Sequence, residues 1–249
     1  DIRTTHDHLR ERSPRVSFGT GWLKESIMEI YKEDIARFRV ILTTETEHDP
    51  LGMVARGEVP LLNALRLHTG TVYRWNRACY GVHEGVAHLR IENRVVPSGP
   101  TILDEIANAA FFFGMMSGMS RTHGDIRQAL SFGDVKSNFL AAARDGIRAQ
   151  MNWFDDRHWP AKDLILQQLL PLAREGLQEA GIDPDDIDRY LGVLSDRVTL
   201  RRTGARWALE SLDNMREQGT MDQRLRCLVS SMVSQQSAGR PVSAWALAE

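Results

Sequence analysis

Between His88 and Val95 apolar and polar residues alternate strictly. His88, Arg90, Glu92 and Arg94 fall on one side of an extended strand, and Leu89, Ile91, Asn93 and Val95 on the other. An earlier alternation, Thr71 to Arg77, places Thr71, Tyr73, Trp75 and Arg77 on one side and Val72, Arg74 and Asn76 on the other. Ala78 to Ala87, with Gly81 and Gly85, reads as the hairpin connection between the two. The rigid turn Pro97-Ser98-Gly99-Pro100-Thr101 ends the second strand. Ile102 to Met119 then reads as a helix so apolar that most of it must be buried.

Helical spacing governs most of the remainder. Trp22, Ile27, Ile30, Ile35, Phe38 and Ile41 predict an amphipathic helix over 21–42, with Glu25, Glu29, Glu33, Arg37 and Arg39 outside. Thr43 to Gly57 reads as a loop and Pro60 to His68 as a short helix that Gly70 stops. Beyond Met119 the pattern is helical almost throughout: 125–130, 134–147 with Asp134 as cap, 160–180 ended by Gly181, and a helix to about Val198 opened by Asp183-Pro184-Asp185-Asp186. A helical hairpin over 203–219 and 220–236 follows, and the residues after Gly239 read as a tail. The fold class is therefore α+β, with an α+β part over 1–120 and a helical region over 121–249.

Composition narrows the classes of function. A net charge of −2 in 249 residues offers no field to recruit nucleic acid or an anionic membrane. No apolar run is long enough to span a bilayer. Cys79 and Cys227 have no metal-ligand spacing, which argues for a reducing, cytoplasmic setting. The chain opens at Asp1 without Met, which raises the expectation of a fragment or processed product.

The ionic side of the second strand carries the candidate chemistry. A carboxylate between two guanidiniums at alternate positions suits a metal-bound polyphosphate, whereas the plain reading is a solvated face. Antiparallel pairing would bring Arg74 or Arg77 beside it, and the sequence leaves the register open. Elsewhere the plain readings prevail: His6 and His8 near the terminus, Glu45, Glu47, His48 and Asp49 in a solvated loop, His123 and His158 as structural residues, and Asp155-Asp156 as diverging carboxylates.

Arg90-Ile91-Glu92-Asn93-Arg94, a turn, and an Ala- and Phe-rich helix with an early Asn (Asn108-Ala109-Ala110-Phe111-Phe112-Phe113-Gly114) resemble the Arg-x-Glu-x-Arg strand of the glutamine synthetase superfamily. The nearer likeness is to the bacterial and plant glutamate-cysteine ligase branch of carboxylate-amine ligases, whose preceding Trp- and Arg-bearing strand is similar to Thr71–Arg77. The resemblance is firm over 60–120 and looser over 15–60 and 120–240. It implies ATP and Mg²⁺ (or Mn²⁺), glutamate or a related carboxylate, and an amine such as cysteine. By that resemblance Glu92 would be a metal ligand, Arg90 would contact phosphate oxygens, and Arg94 would hold a carboxylate or the transferring phosphoryl group. Arg77, with Arg74 as the other arginine of its strand, would bind the carboxylate substrate.

The superfamily pattern also calls for further glutamates from earlier strands, and residues 1–70 contain no persuasive Glu-x-Glu strand. Glu45 and Glu47 have the spacing in a loop-like context. The expectation is thus the C-terminal half of a longer ligase, completed by an N-terminal partner segment or a homo-oligomer, or a member that has lost the chemistry. Three readings stand: an ATP-dependent ligase, a non-catalytic interaction module on the ligase fold, and a carboxylate or nucleotide sensor.

Overall fold

The computed structural model describes residues 16–43, 45 and 49–249, so His6, His8, Glu47 and His48 lie outside the described residues. The architecture is mixed α and β, with small two-stranded sheets and a helical C-terminal region. Two compact units meet at Pro97 and Ser98, earlier than the division expected after residue 120. The apolar helix that follows the turn packs on later helices and so belongs to the second unit.

In the first unit β1 (Val16–Ser17) pairs in parallel with β2 (Tyr73–Arg74). The helix expected over 21–42 contracts to α1 (Met28–Arg37). Its buried face is Tyr31 and Asp34, while Ile35 and Ile41 are exposed. A buried aspartate drew no notice in the apolar pattern, because only its tertiary partner makes it an interior residue. Two short helices follow, α2 (Pro50–Ala55) and α3 (Asn63–Gly70). Asp49 caps α2, its carboxylate accepting the Gly52 N–H at 2.9 Å, which accounts for one acid of the expected loop cluster. His68 anchors α3 to the end of α1 through Nε2, 2.8 Å from the Phe38 carbonyl oxygen.

The expected hairpin connection is mostly strand. β3 (Asn76–His83) pairs antiparallel with β4 (Val86–Asn93), and only Glu84 and Gly85 turn the chain, at φ of 50° and 77°. Gly81 had suggested a turn but lies inside β3, opposite His88. A Cβ there would come within 2.7 Å of His88 Cε1 and 2.8 Å of Arg90 Nη1, so this glycine makes room for the side chains crossing from β4.

The second unit opens with α4 (Ile102–Thr122), capped by Thr101, whose hydroxyl accepts the Asp104 N–H at 3.1 Å. After α5 (Ile126–Ala129), Ser131 rather than Asp134 caps α6 (Phe132–Asp145), Asp134 sitting three residues into the helix. A small antiparallel hairpin, β5 (Gln150–Trp153) and β6 (Arg157–Pro160), occupies the stretch left between the helices expected over 134–147 and 160–180. α7 (Ala161–Leu164) runs through a π-helical turn (Ile165–Leu169) into α8 (Leu170–Glu179). Gly114 and Gly118 of α4 meet Ala173 and Leu172 of α8 backbone to backbone; a Cβ on Gly118 would stand 2.5 Å from the Leu172 carbonyl oxygen. Glycines at four-residue spacing thus let these two helices approach more closely than any larger side chain permits.

α9 (Pro184–Thr199) begins as expected with Asp183 as cap and Pro184 in the first turn. It supplies Ile187 and Leu191 to a core shared with Ala173 and Leu177 of α8. A second core joins α10 (Gly204–Asn214), α11 (Met221–Ser237) and the supposed tail, burying Trp207, Met215, Leu228, Val242, Trp245 and Ala248. Trp207 Nε1 donates to the Ala246 carbonyl oxygen at 2.7 Å, so the last residues are an integral wall of the unit.

Candidate functional site

The register of the hairpin places Arg77 opposite Glu92, Cys79 opposite Arg90 and Gly81 opposite His88, all on one face. That register also settles which arginine of the first strand joins the ionic face. Arg77 Nε lies 2.7 Å from Glu92 Oε2, and Arg94 Nη2 donates to the same oxygen at 3.1 Å. The Arg77 contact is ionic rather than a hydrogen bond, because the buried Nε–H does not aim at the carboxylate and has no hydrogen-bond partner; Arg94 Nη1 is likewise buried without one. Partial burial pushes the Glu92 carboxyl up, but the Arg94 hydrogen bond and the charges of Arg77 and Arg94 outweigh it and hold it below the ordinary carboxylate range.

Helix α3 completes the site from the side. Asn63, Arg66 and Thr69 join Arg77, Cys79 and Arg90 around a cavity of about 530 Å³. Three guanidiniums, from α3, β3 and β4, therefore border one space, and the carboxylate nearest to them is already neutralised. Such a wall attracts anions, planar carboxylates and phosphates most of all, to which a guanidinium can donate two hydrogen bonds. Arg66 escaped the reading of the sequence. Asn63 and Arg66 at i, i+3 share one helix face just ahead of the strands, which is a recognisable but weak signal.

Arg74 has a different role from the one expected of it. It is 4% exposed; its Nε donates to Asp34 Oδ1 at 2.8 Å, Nη2 to Glu33 Oε2 at 2.9 Å and Nη1 to the Phe18 carbonyl oxygen at 3.2 Å. Burial alone would lower its pKa, yet the two carboxylates hold it above the ordinary value. Every nitrogen of this guanidinium is engaged within the protein, so it fastens β2 to α1 and leaves nothing to offer a substrate. The strand breaks at Trp75 between Arg74 and Arg77, which is why two arginines of one expected strand part company.

The donor set does not fit a divalent cation. Among the described residues no three His, Cys, Asp or Glu side chains come together, and Glu92 is clamped by two cations. Mg²⁺ requires several oxygen ligands, and Glu92 is the one acid here. The apolar side of β4 also departs from expectation: Leu89 is 54% and Ile91 61% exposed, while on the ionic side Arg90 is exposed and His88, Glu92 and Arg94 are half-buried.

No model of a known family, no curated protein and no solved structure matches the chain.

Proposed function

We infer that this chain carries the carboxylate- and phosphate-binding part of an ATP-dependent carboxylate-amine ligase of glutamate-cysteine ligase type. The observation that carries the reading is the meeting of Arg66, Arg77 and Arg90 on one cavity beside a neutralised Glu92. In such a ligase a carboxylate oxygen of the acid attacks the γ-phosphorus of ATP and ADP departs. The amine nitrogen then attacks the acyl-phosphate carbonyl, loses a proton and expels phosphate, leaving an amide. Both reactants of the first step are anions, so the barrier is largely charge repulsion. Arg66, Arg77 and Arg90 offset that repulsion by holding the carboxylate and phosphate oxygens in one cavity, and Glu92, shared between Arg77 and Arg94, orients Arg77 at its edge. The resemblance of Arg90–Arg94 and of the helix beyond it supplies the class of reaction, and a glutamine-synthetase-like sheet is part of this proposal.

A second reading draws on the clamped Glu92: a carboxylate- or nucleotide-binding module that keeps the strand motif without turnover. Without companion acids, a carboxylate held by two arginines serves to order those arginines, which a binding module needs as much as an enzyme does.

Calorimetric titration with a non-hydrolysable ATP analogue, with and without Mg²⁺ and glutamate, separates the two. Nucleotide binding that strengthens with glutamate, with release of phosphate from ATP when Mg²⁺ is supplied on the nucleotide, supports the ligase. Glutamate binding indifferent to nucleotide, without phosphate release from ATP, supports the module. Binding of neither ligand, or binding unchanged in Arg77→Ala and Arg90→Ala, rejects both.

A further inference from the structure

A second cavity, of about 430 Å³, lies wholly within the C-terminal unit, where the end of α4, the β5–β6 hairpin, the π-helical turn and α8 converge. Trp153, Phe154, Trp159 and His123 stand in its wall. The rings are ordered against one another: His123 lies 4.3 Å from Phe154 and Trp153 4.7 Å from Phe154, centroid to centroid. Asp155 and Glu175 reach the same space, and neither carboxylate has a hydrogen-bond or ion-pair partner among the described residues. Among the described residues Arg157 is the one permanent cation of the wall, against Asp155 and Glu175, which leaves an excess of one negative charge. Two departures from regular backbone build this wall. Asp155 and Asp156 both adopt left-handed φ, 57° and 52°, a conformation that aspartate tolerates in tight hairpin turns. The π-helical turn carries Gln167 and Gln168 to the cavity.

We propose that this cavity binds a small organic cation, an ammonium carried on a compact apolar body. The faces of tryptophan rings attract cations through their quadrupoles, and the apolar body replaces water against Trp153 and Trp159. Asp155 and Glu175 supply the countercharge. An anion would meet two unpaired carboxylates, and a neutral planar base would leave both without a partner. The turn between β5 and β6 places Asp155 on the same wall as Trp153 and Trp159. This site stands in the second unit and is independent of the arginine cavity.

Choline titrated into the full chain, followed by calorimetry and tryptophan fluorescence, tests the proposal. Saturable binding is expected, and Asp155→Asn with Glu175→Gln should weaken it by about fivefold, the loss of two solvent-exposed countercharges. The uncharged isostere 3,3-dimethylbutan-1-ol should bind about tenfold more weakly than choline. Trp153→Leu should abolish binding; where circular dichroism shows that variant misfolded, the exposed Asp155 and Glu175 substitutions carry the test. Absence of saturable choline binding, equal binding of the isostere, or preference for adenosine over choline overturns it.

Discussion

Asp104, fully buried in the first turn of α4, lies 2.7 Å from Arg197 Nη2 on α9. Its other oxygen accepts the Thr101 hydroxyl at 2.8 Å and the Val242 N–H at 3.0 Å. One carboxylate thus joins the cap of α4, the last turns of α9 and the C-terminal segment. Arg197 also donates to Asn108 Oδ1 at 2.6 Å, so the early asparagine of the ligase-like helix serves this junction too. Removing one partner of a buried ion pair leaves the other charge desolvated. Asp104→Ala should cost about 3–5 kcal/mol, read as a lower midpoint in urea unfolding.

Arg74 and Asp34 make the equivalent pair in the first unit, both about 95% hidden. Arg74→Ala should likewise destabilise by about 3–5 kcal/mol, whereas Arg66→Ala, on an exposed side chain, should leave circular dichroism and unfolding unchanged. Glutamate or phosphate affinity should fall by about tenfold or more in Arg66→Ala, the loss of one charge-assisted hydrogen bond. Equal stability of Arg74→Ala and wild type, measured by denaturation, would show that Arg74 is not the fastening described.

The pH dependence has a definite sign. Partial burial raises the Glu33 carboxyl, but the hydrogen bonds from Arg74 and Arg37 prevail and hold it below its ordinary 4.5. A carboxylate depressed in the folded state contributes stability above its unfolded pKa and loses it as pH falls through the folded one. Unfolding measured from pH 7 down to pH 3 should therefore lose stability below 4.5. Glu33→Gln should show a smaller acid loss than the wild type over the same range.

The close crossing of α4 and α8 admits no side chain. Gly118→Val should destabilise by about 1–3 kcal/mol or more, because the added carbons meet the Leu172 carbonyl oxygen and not a flexible side chain that could yield. The drop in melting temperature checks this, with Gly192→Ala, where a Cβ has open space, as the control.

The β3–β4 turn leaves room for a gain. Glu84 adopts φ 50° ahead of Gly85. Asn accepts that conformation more readily, so Glu84→Asn should stabilise by about 0.5 kcal/mol, visible as a raised unfolding midpoint.

The sequence by itself determined the local elements whose signals are short-range. The alternation of β4, the turn before α4, the Asp183-Pro184 start of α9 and the helix opened at Thr220 were all legible, because each depends on residues within a turn of one another. It also brought Arg77, Arg90, Glu92 and Arg94 forward as a group. Only the tertiary structure decided what each does. Arg74 and Arg77 are three residues apart with the same chemistry, yet one is buried against Asp34 and the other faces a cavity, since the kink at Trp75 and the hairpin register lie outside any local pattern. Arg66 joined them by packing of α3 on β3. The polar Asp104 became interior, and the residues after Gly239 became core, because burial of a charge or of a short polar-looking tail depends on partners distant in the chain. Periodicity records which side of an element is apolar; it does not record which other element will cover it.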